Sequence, residues 1–321
     1  MLIVELVVGL ALLLGGGEAL VRGSVAVAGR FGVSPLVIGL TLVGFGTSTP
    51  ELVASLQAAL LGSPGIAIGN VIGSNIANIL LILGLSAVIL PLAIGREAFR
   101  RDGVVLIVAA GLLLAAVLTG ELSRWAGAVF VLLLLAYTLY AFWSERAARS
   151  DAASAAAEVH IAGVDVVAPA KTLSLAVALG LTGGGIAAVL VGADLLVQSA
   201  IEVARMLNLS EAVVGLTLVA VGTSLPELAT SIMAVARRQS DVAFGNIVGS
   251  NIFNVLGIAG VTALVKPIPV PQEIVRFDIW VMLAASALLI LFAVTGWRID
   301  RRGGAFFLLA YVAYLGVQVA A

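Results

Sequence analysis

The chain has 321 residues, of which 61% are hydrophobic and 11% charged, with seventeen Lys and Arg nearly balancing eighteen Asp and Glu. So apolar a composition excludes an ordinary soluble domain or a nucleic-acid binder and places the chain in a lipid bilayer. The absence of cysteine, with His160 as the single histidine, excludes disulfides, thiolate metal sites, cysteine nucleophiles and a His-dependent catalytic triad.

Apolar runs long enough to cross a ~30 Å hydrocarbon core recur along the chain. They predict ten helices, over residues 2–28, 35–61, 66–90, 103–119, 123–143, 172–203, 211–236, 242–265, 277–296 and 303–320. Helices are expected because backbone polar groups in lipid need internal partners. No basic run precedes the first apolar stretch, so a cleaved signal peptide is not expected. The first segment carries Glu18, with Arg22 one turn on as a candidate snorkelling partner. The second carries Glu51, and the third Asn70, Ser74 and Asn78. Trp125 and Trp143 bracket the fifth segment, and Trp280 and Trp297 the ninth, at the positions of interfacial anchors. The Ala/Ser/Glu-rich stretch 144–171 reads as a cytoplasmic linker, with His160 and its neighbouring acids in solvated loop. Assigning loops alternately to the two sides puts thirteen of the seventeen basic residues on one side. The positive-inside rule makes that side cytoplasmic, so both termini are expected outside a prokaryotic inner or plasma membrane.

The chain repeats itself at an offset of 176 residues, without gaps from Glu18 to Gly84. Gly46-Thr47-Ser48-Thr49-Pro50-Glu51 aligns with Gly222-Thr223-Ser224-Leu225-Pro226-Glu227. Gly69-Asn70-Val71-Ile72-Gly73-Ser74-Asn75 aligns with Gly245-Asn246-Ile247-Val248-Gly249-Ser250-Asn251, and Asn78 with Asn254. Five helices per copy is an odd number, so the second copy must enter the membrane from the opposite side. The expected fold class is therefore all-α integral membrane, with ten transmembrane helices in two inverted five-helix repeats, 1–143 and 172–321. Inverted repeats interrupted at matching positions are the pattern of secondary transporters, whose site lies at the repeat interface.

Glu51 and Glu227 fall at membrane depth, where an ionised group costs ~2.5–3.5 kcal/mol at a helix centre and needs a partner. With no membrane-centred Lys, Arg or His to pair with them, a bound cation is the simplest partner, and protonation the rival. Pro50 and Pro226 cannot donate an N–H and crowd the carbonyl four residues earlier. The carbonyls of Gly46 and Gly222 are therefore expected to be free, and those of Thr47 and Thr223 to tilt outward. Asn70, Ser74 and Asn78, like Asn246, Ser250 and Asn254, share one helical stripe. Asn75 and Asn251 lie off it and are expected to hydrogen-bond between helices. Oxygen ligands without thiolate or imidazole suit hard cations, and Ca²⁺ accepts ~6–8 of them in flexible geometry. An empty, doubly ionised site is costly to occlude, which favours obligatory exchange over uniport.

These twin motifs, Gly-Thr-Ser-x-Pro-Glu and Gly-Ser-Asn-Ile-x-Asn, resemble the alpha repeats of the calcium/cation antiporter superfamily and, within it, prokaryotic sodium/calcium exchangers. The resemblance implies alternating access, with long first and sixth helices sliding against a fixed core. It also implies that Glu51 and Glu227 bind Ca²⁺ with the carbonyls of Thr47 and Thr223. Ser48, Ser74 and the Gly44 carbonyl would form one flanking Na⁺ site, and Ser224, Ser250 and the Ala220 carbonyl the other, with Asn78 and Asn254 lining the middle. Some relatives carry Asp at the position of Asn254, and Asn here argues against K⁺ coupling. Ca²⁺ and Na⁺ are then cargo, with no cofactor and no protein partner implied. A Ca²⁺/H⁺ antiporter using the same glutamates is the alternative. An intramembrane hydrolase with Ser48 or Ser224 as nucleophile lacks a membrane His or Lys as base.

Overall fold

The computed structural model describes residues 2–30, 46–94, 96–152, 173–238 and 240–320. The helices are α1 (Leu2–Arg30), α2 (Thr49–Leu61), α3 (Pro64–Ile89), α4 (Arg96–Leu118), α5 (Arg124–Ala152) and α6 (Leu175–Leu207). They continue as α7 (Glu211–Thr223), α8 (Leu225–Ala236), α9 (Ser240–Phe253 and on through Asn254–Ala259 and Gly260–Val265), α10 (Ile274–Gly296) and α11 (Arg301–Ala320). Among the described residues seven helices are long and apolar enough to cross a membrane, and the bent pair α7–α8 makes an eighth span. The protein is all-α and integral to the membrane. The 20-residue α11 falls on the tenth predicted segment. The second segment is described only from residue 46, so Gly44 lies outside the described residues. Helix α5 continues through Ala152, past the expected start of the linker at 144, because Ser144-Glu-Arg-Ala-Ala-Arg is rich in good helix formers.

The inversion of the repeats is visible in how α1 meets its counterpart α6. Gly9 abuts Gly192 and Leu196, Gly16 abuts Gly185 and Val189, and Gly23 abuts Ala178 and Thr182, so the two helices run antiparallel. A methyl group at Gly9, Gly16, Gly23, Gly185 or Gly192 would come within 2.5–2.8 Å of an atom across the seam. Lipid tails are as apolar as Leu, so membrane helices associate by such close packing rather than by hydrophobic burial. The same exchange recurs elsewhere. Gly84 of α3 packs on Gly304 of α11, and its counterpart Gly260 of α9 packs on α5, where Gly127 corresponds to Gly304.

Four two-residue strands close the ends of the bundle. β1 (Leu92–Ala93) pairs antiparallel with β4 (Arg298–Ile299), and β2 (Glu121–Leu122) with β3 (Ile268–Pro269). β3 is the counterpart of β1, and β4 of β2, so each pair joins one repeat to the other. Trp297 serves this joint: its carbonyl accepts from Ile94 N (2.9 Å) and its ring meets Phe99 edge-on. It is half-buried, whereas Trp125, Trp143 and Trp280 are exposed as interfacial anchors would be.

Most of α3 and α9 is buried, while only about a fifth of the apolar stretch of α1, α5 or α6 is (22% in each). The polar stripes thus lie on the two central helices, and Val7, Leu132, Leu190 and Leu309 face outward. Both central helices widen into π-helical stretches, Ala77–Leu83 and Asn254–Ala259, at matching places. Such stretches break the regular hydrogen-bond ladder and often accompany functional sites.

Candidate cation site

Each glutamate sits in the first turn of a helix that begins at a break. In the second repeat α7 ends at Thr223, Ser224 adopts φ −81°, ψ 8°, and α8 leaves at 45°. Ser48 adopts nearly the same geometry, φ −90°, ψ 11°. Pro50 and Pro226 occupy the second helical position, where a missing N–H costs nothing. The proline therefore starts the second half-helix rather than kinking a continuous one. It also sets Glu51 and Glu227 at the positive end of a helix dipole, which favours a carboxylate. The Gly46 carbonyl, expected to be free, instead accepts from Thr49 N (3.2 Å), because the chain closes a tight turn at the break. The Ala220 carbonyl likewise already accepts from Ser224 N (3.1 Å) and from the Thr223 hydroxyl (3.4 Å).

The two half-sites interlock. Ser48 Oγ donates to Glu227 Oε1 (2.7 Å), and Ser224 Oγ donates to Glu51 Oε1 (3.1 Å). Each serine stands three residues before one glutamate and bonds the other, which draws the breaks together at the repeat interface. All four side chains are buried. The remaining oxygen of each glutamate, Oε2, has no hydrogen-bond partner among the described residues. A buried unpaired carboxylate oxygen is expensive, so the two Oε2 atoms are candidate cation ligands.

Asn70 ties the first half-site together. Its Nδ2 donates to the Glu51 carbonyl (3.1 Å) and to Ser55 Oγ (2.8 Å), while its Oδ1 accepts from Thr223 Oγ1 (3.1 Å) and, at longer range, from Ser74 Oγ (3.5 Å). In the second half-site Asn246 donates to Ser231 Oγ (3.2 Å), but Ser250 Oγ and both polar atoms of the Asn254 side chain are buried without a partner. The Thr47 hydroxyl and Asn78 Oδ1 are also buried and unpartnered. Asn78 Nδ2 reaches Asn251 Oδ1 (3.2 Å) across the interface, so Asn251 bonds between helices as expected, whereas Asn75 turns to Val71 O of its own helix (2.8 Å).

Of the sequence-predicted residues, Glu51, Ser224, Ser74 and Thr223 are joined through Asn70, while Ser48 bonds Glu227 and Asn78 bonds Asn251 as separate pairs. Thr47, Ser250 and Asn254 contribute unpartnered oxygens. Asn70, Asn246 and Asn251 were not among the predicted ligands. Their signal was present in the sequence, since Asn70 and Asn246 lie on the same polar stripes. The donor set is all oxygen and amide, with two carboxylates able to neutralise one divalent cation.

Inverted membrane repeats that bring two buried carboxylates together, each in the first turn of its helix, define a secondary cation antiporter. A family model for sodium/calcium exchanger proteins matches residues 1–143 and 177–320, and the chain belongs to that family. It is 34% identical to the sodium/calcium exchanger MaX1 of Methanosarcina acetivorans, over 97% of each chain. It is 35% identical to the putative antiporter CaxA of Alkalimonas amylolytica, over 96% of this chain and 95% of that one. Among solved structures it resembles the sodium-calcium exchanger NCX_Mj soaked with Na⁺ and Sr²⁺, with TM-score 0.63 and 34% identity over 98% of this chain and 99% of that one. The family and fold are those of transporters rather than enzymes.

Proposed function

We propose that the chain exchanges Na⁺ for Ca²⁺ across the membrane by alternating access, with Glu51 and Glu227 as the shared Ca²⁺ ligands. The observation that carries this reading is the pair of buried, unpartnered oxygens, Glu51 Oε2 and Glu227 Oε2, one from each inverted repeat. A divalent cation between them cancels both charges, and Ca²⁺ accepts the irregular surround of hydroxyl, amide and carbonyl oxygens that Mg²⁺ fits poorly. The carbonyls of Thr47 and Thr223 join the glutamates on Ca²⁺, Asn78 and Asn254 line the middle, and Ser48, Ser74 and the Gly44 carbonyl, with Ser224, Ser250 and the Ala220 carbonyl, supply the two flanking positions for Na⁺. That the similar proteins MaX1 and NCX_Mj are sodium/calcium exchangers supports Na⁺ as the coupling ion. Residues 1–143 and 172–321 form the two repeats, joined by a cytoplasmic linker, with both termini outside.

Vesicles containing the purified protein test the coupling. A Na⁺ gradient should drive Ca²⁺ uptake at fixed pH, and a pH gradient without Na⁺ should not. The opposite pattern identifies a Ca²⁺/H⁺ antiporter working on the same glutamates.

A further inference from the structure

The glycine-packed pair α1–α6 meets the glutamate-bearing elements at two glycines. A methyl on Gly17 would lie 3.6 Å from Pro50, and one on Gly222 would lie 3.3 Å from the Leu10 side chain. A polar tie also crosses this seam. The Gln57 amide of α2 donates to Asp194 Oδ1 of α6 (2.9 Å), and Gln198 donates to Asp194 Oδ2 (2.8 Å). Asp194 stands deep within a 33-residue apolar helix and is held by neutral amides. A carboxylate at such depth is costly and calls for a functional reason.

The mirror position lacks the tie. Glu18 is the counterpart of Asp194, but it is exposed and pairs with Arg22 on its own helix. The counterpart of Gln57 is Met233, which has no amide to offer. In an inverted-repeat transporter the two access states are related by exchanging the conformations of the repeats. After that exchange α6 would stand to α2 as α1 now stands to α8, and α1 makes little contact with α8 whereas α6 packs along α2, so the exchange carries Asp194 away from Gln57. The Gln57–Asp194 bond therefore belongs to one access state.

We propose that Gln57 and Asp194 form a one-sided latch that sets the populations of the two access states. They are positioning residues: they fix α6 against the helix that carries Glu51 and touch no transported ion. The inference rests on the alternating-access reading above, and its test separates the two.

Because the chain has no cysteine, Leu60→Cys on α2 and Met206→Cys on α6, both at exposed positions, can carry spin labels without background. Pulsed electron paramagnetic resonance in lipid nanodiscs then reads their separation in Na⁺, in Ca²⁺ and without either. The labelled parent should show two distance populations whose ratio the ions shift. Gln57→Met, which gives the first repeat the second repeat's residue, should deplete the latched population about tenfold in the ion-free protein, as loss of a hydrogen bond to a charged group implies. Asp194→Asn keeps an acceptor oxygen and should deplete it less. Maximal exchange rate should change in Gln57→Met while the ratio of Ca²⁺ to Na⁺ half-saturation stays that of the parent. If the ions shift the parent but both variants keep the parental ratio, the latch is overturned and alternating access stands. A single distance under every ion condition overturns alternating access and the latch with it.

Discussion

The two half-sites share a sequence motif but differ in hydrogen bonding. Thr223 donates to Asn70, while the Thr47 hydroxyl, which would make the mirror bond to Asn246, is unpartnered. Asn78 reaches Asn251, while Asn254 leaves Asn75 to bond its own helix. Among the described residues that bond between the two halves of the site, the serine–glutamate pairs are made in both directions. The serine–glutamate bonds thus define the symmetric centre of the site, and the Thr–Asn and Asn–Asn bonds mark one repeat as drawn in and the other as loosened. Two halves of identical chemistry in different states are what an inverted-repeat transporter holds at any moment of its cycle.

Breaking Asn70 should expose the difference most strongly. Asn70→Ala removes the partner of several buried polar groups and should cost about 3 kcal/mol, against about 1 kcal/mol for Asn246→Ala. Thermal unfolding in detergent, followed by the loss of monodisperse protein, would show the unequal shifts, and equal shifts would dissolve the asymmetry. The serine pair comes next. Ser48→Ala removes the shorter bond to a carboxylate and should weaken Ca²⁺-dependent thermal stabilisation by about 2 kcal/mol, with a smaller loss for Ser224→Ala. The threonines should give the smallest and most selective effect. Thr223→Val should cost about 1 kcal/mol of stability without ions, because Asn70 loses a donor. Thr47→Val should leave that stability within about 0.5 kcal/mol, since it removes a hydroxyl that has no partner.

Much of this architecture was legible in the sequence because duplication writes each feature twice. The 176-residue offset located the glutamates, the prolines behind the breaks and the polar stripes. Two matching elements are read only from the structure. Tyr137 donates to Asp102 (3.0 Å), and Tyr314 donates to Asp278 (2.9 Å), joining the last two helices of each repeat in the same way. The π-helical stretches left no trace in apolar periodicity, because their residues are nearly all buried. The two-residue strands depend on pairing between distant chain segments, which composition does not encode. The proline argument failed in detail at Gly46, where a tight turn captured the carbonyl that the ring displaced. The hydrogen-bond asymmetry lay beyond sequence altogether, since identical motifs carry no information about which repeat is drawn in.

The central claim is that Glu51 and Glu227 share one cation. Uptake of ⁴⁵Ca²⁺ into Na⁺-loaded vesicles tests it most directly, comparing the parent protein with Glu51→Gln and Glu227→Gln. Either substitution keeps the shape of the side chain but removes half of the neutralising charge, and uptake should fall at least about a hundredfold, as expected for a buried charge left without its partner. Uptake at the parental rate in either variant would contradict the account.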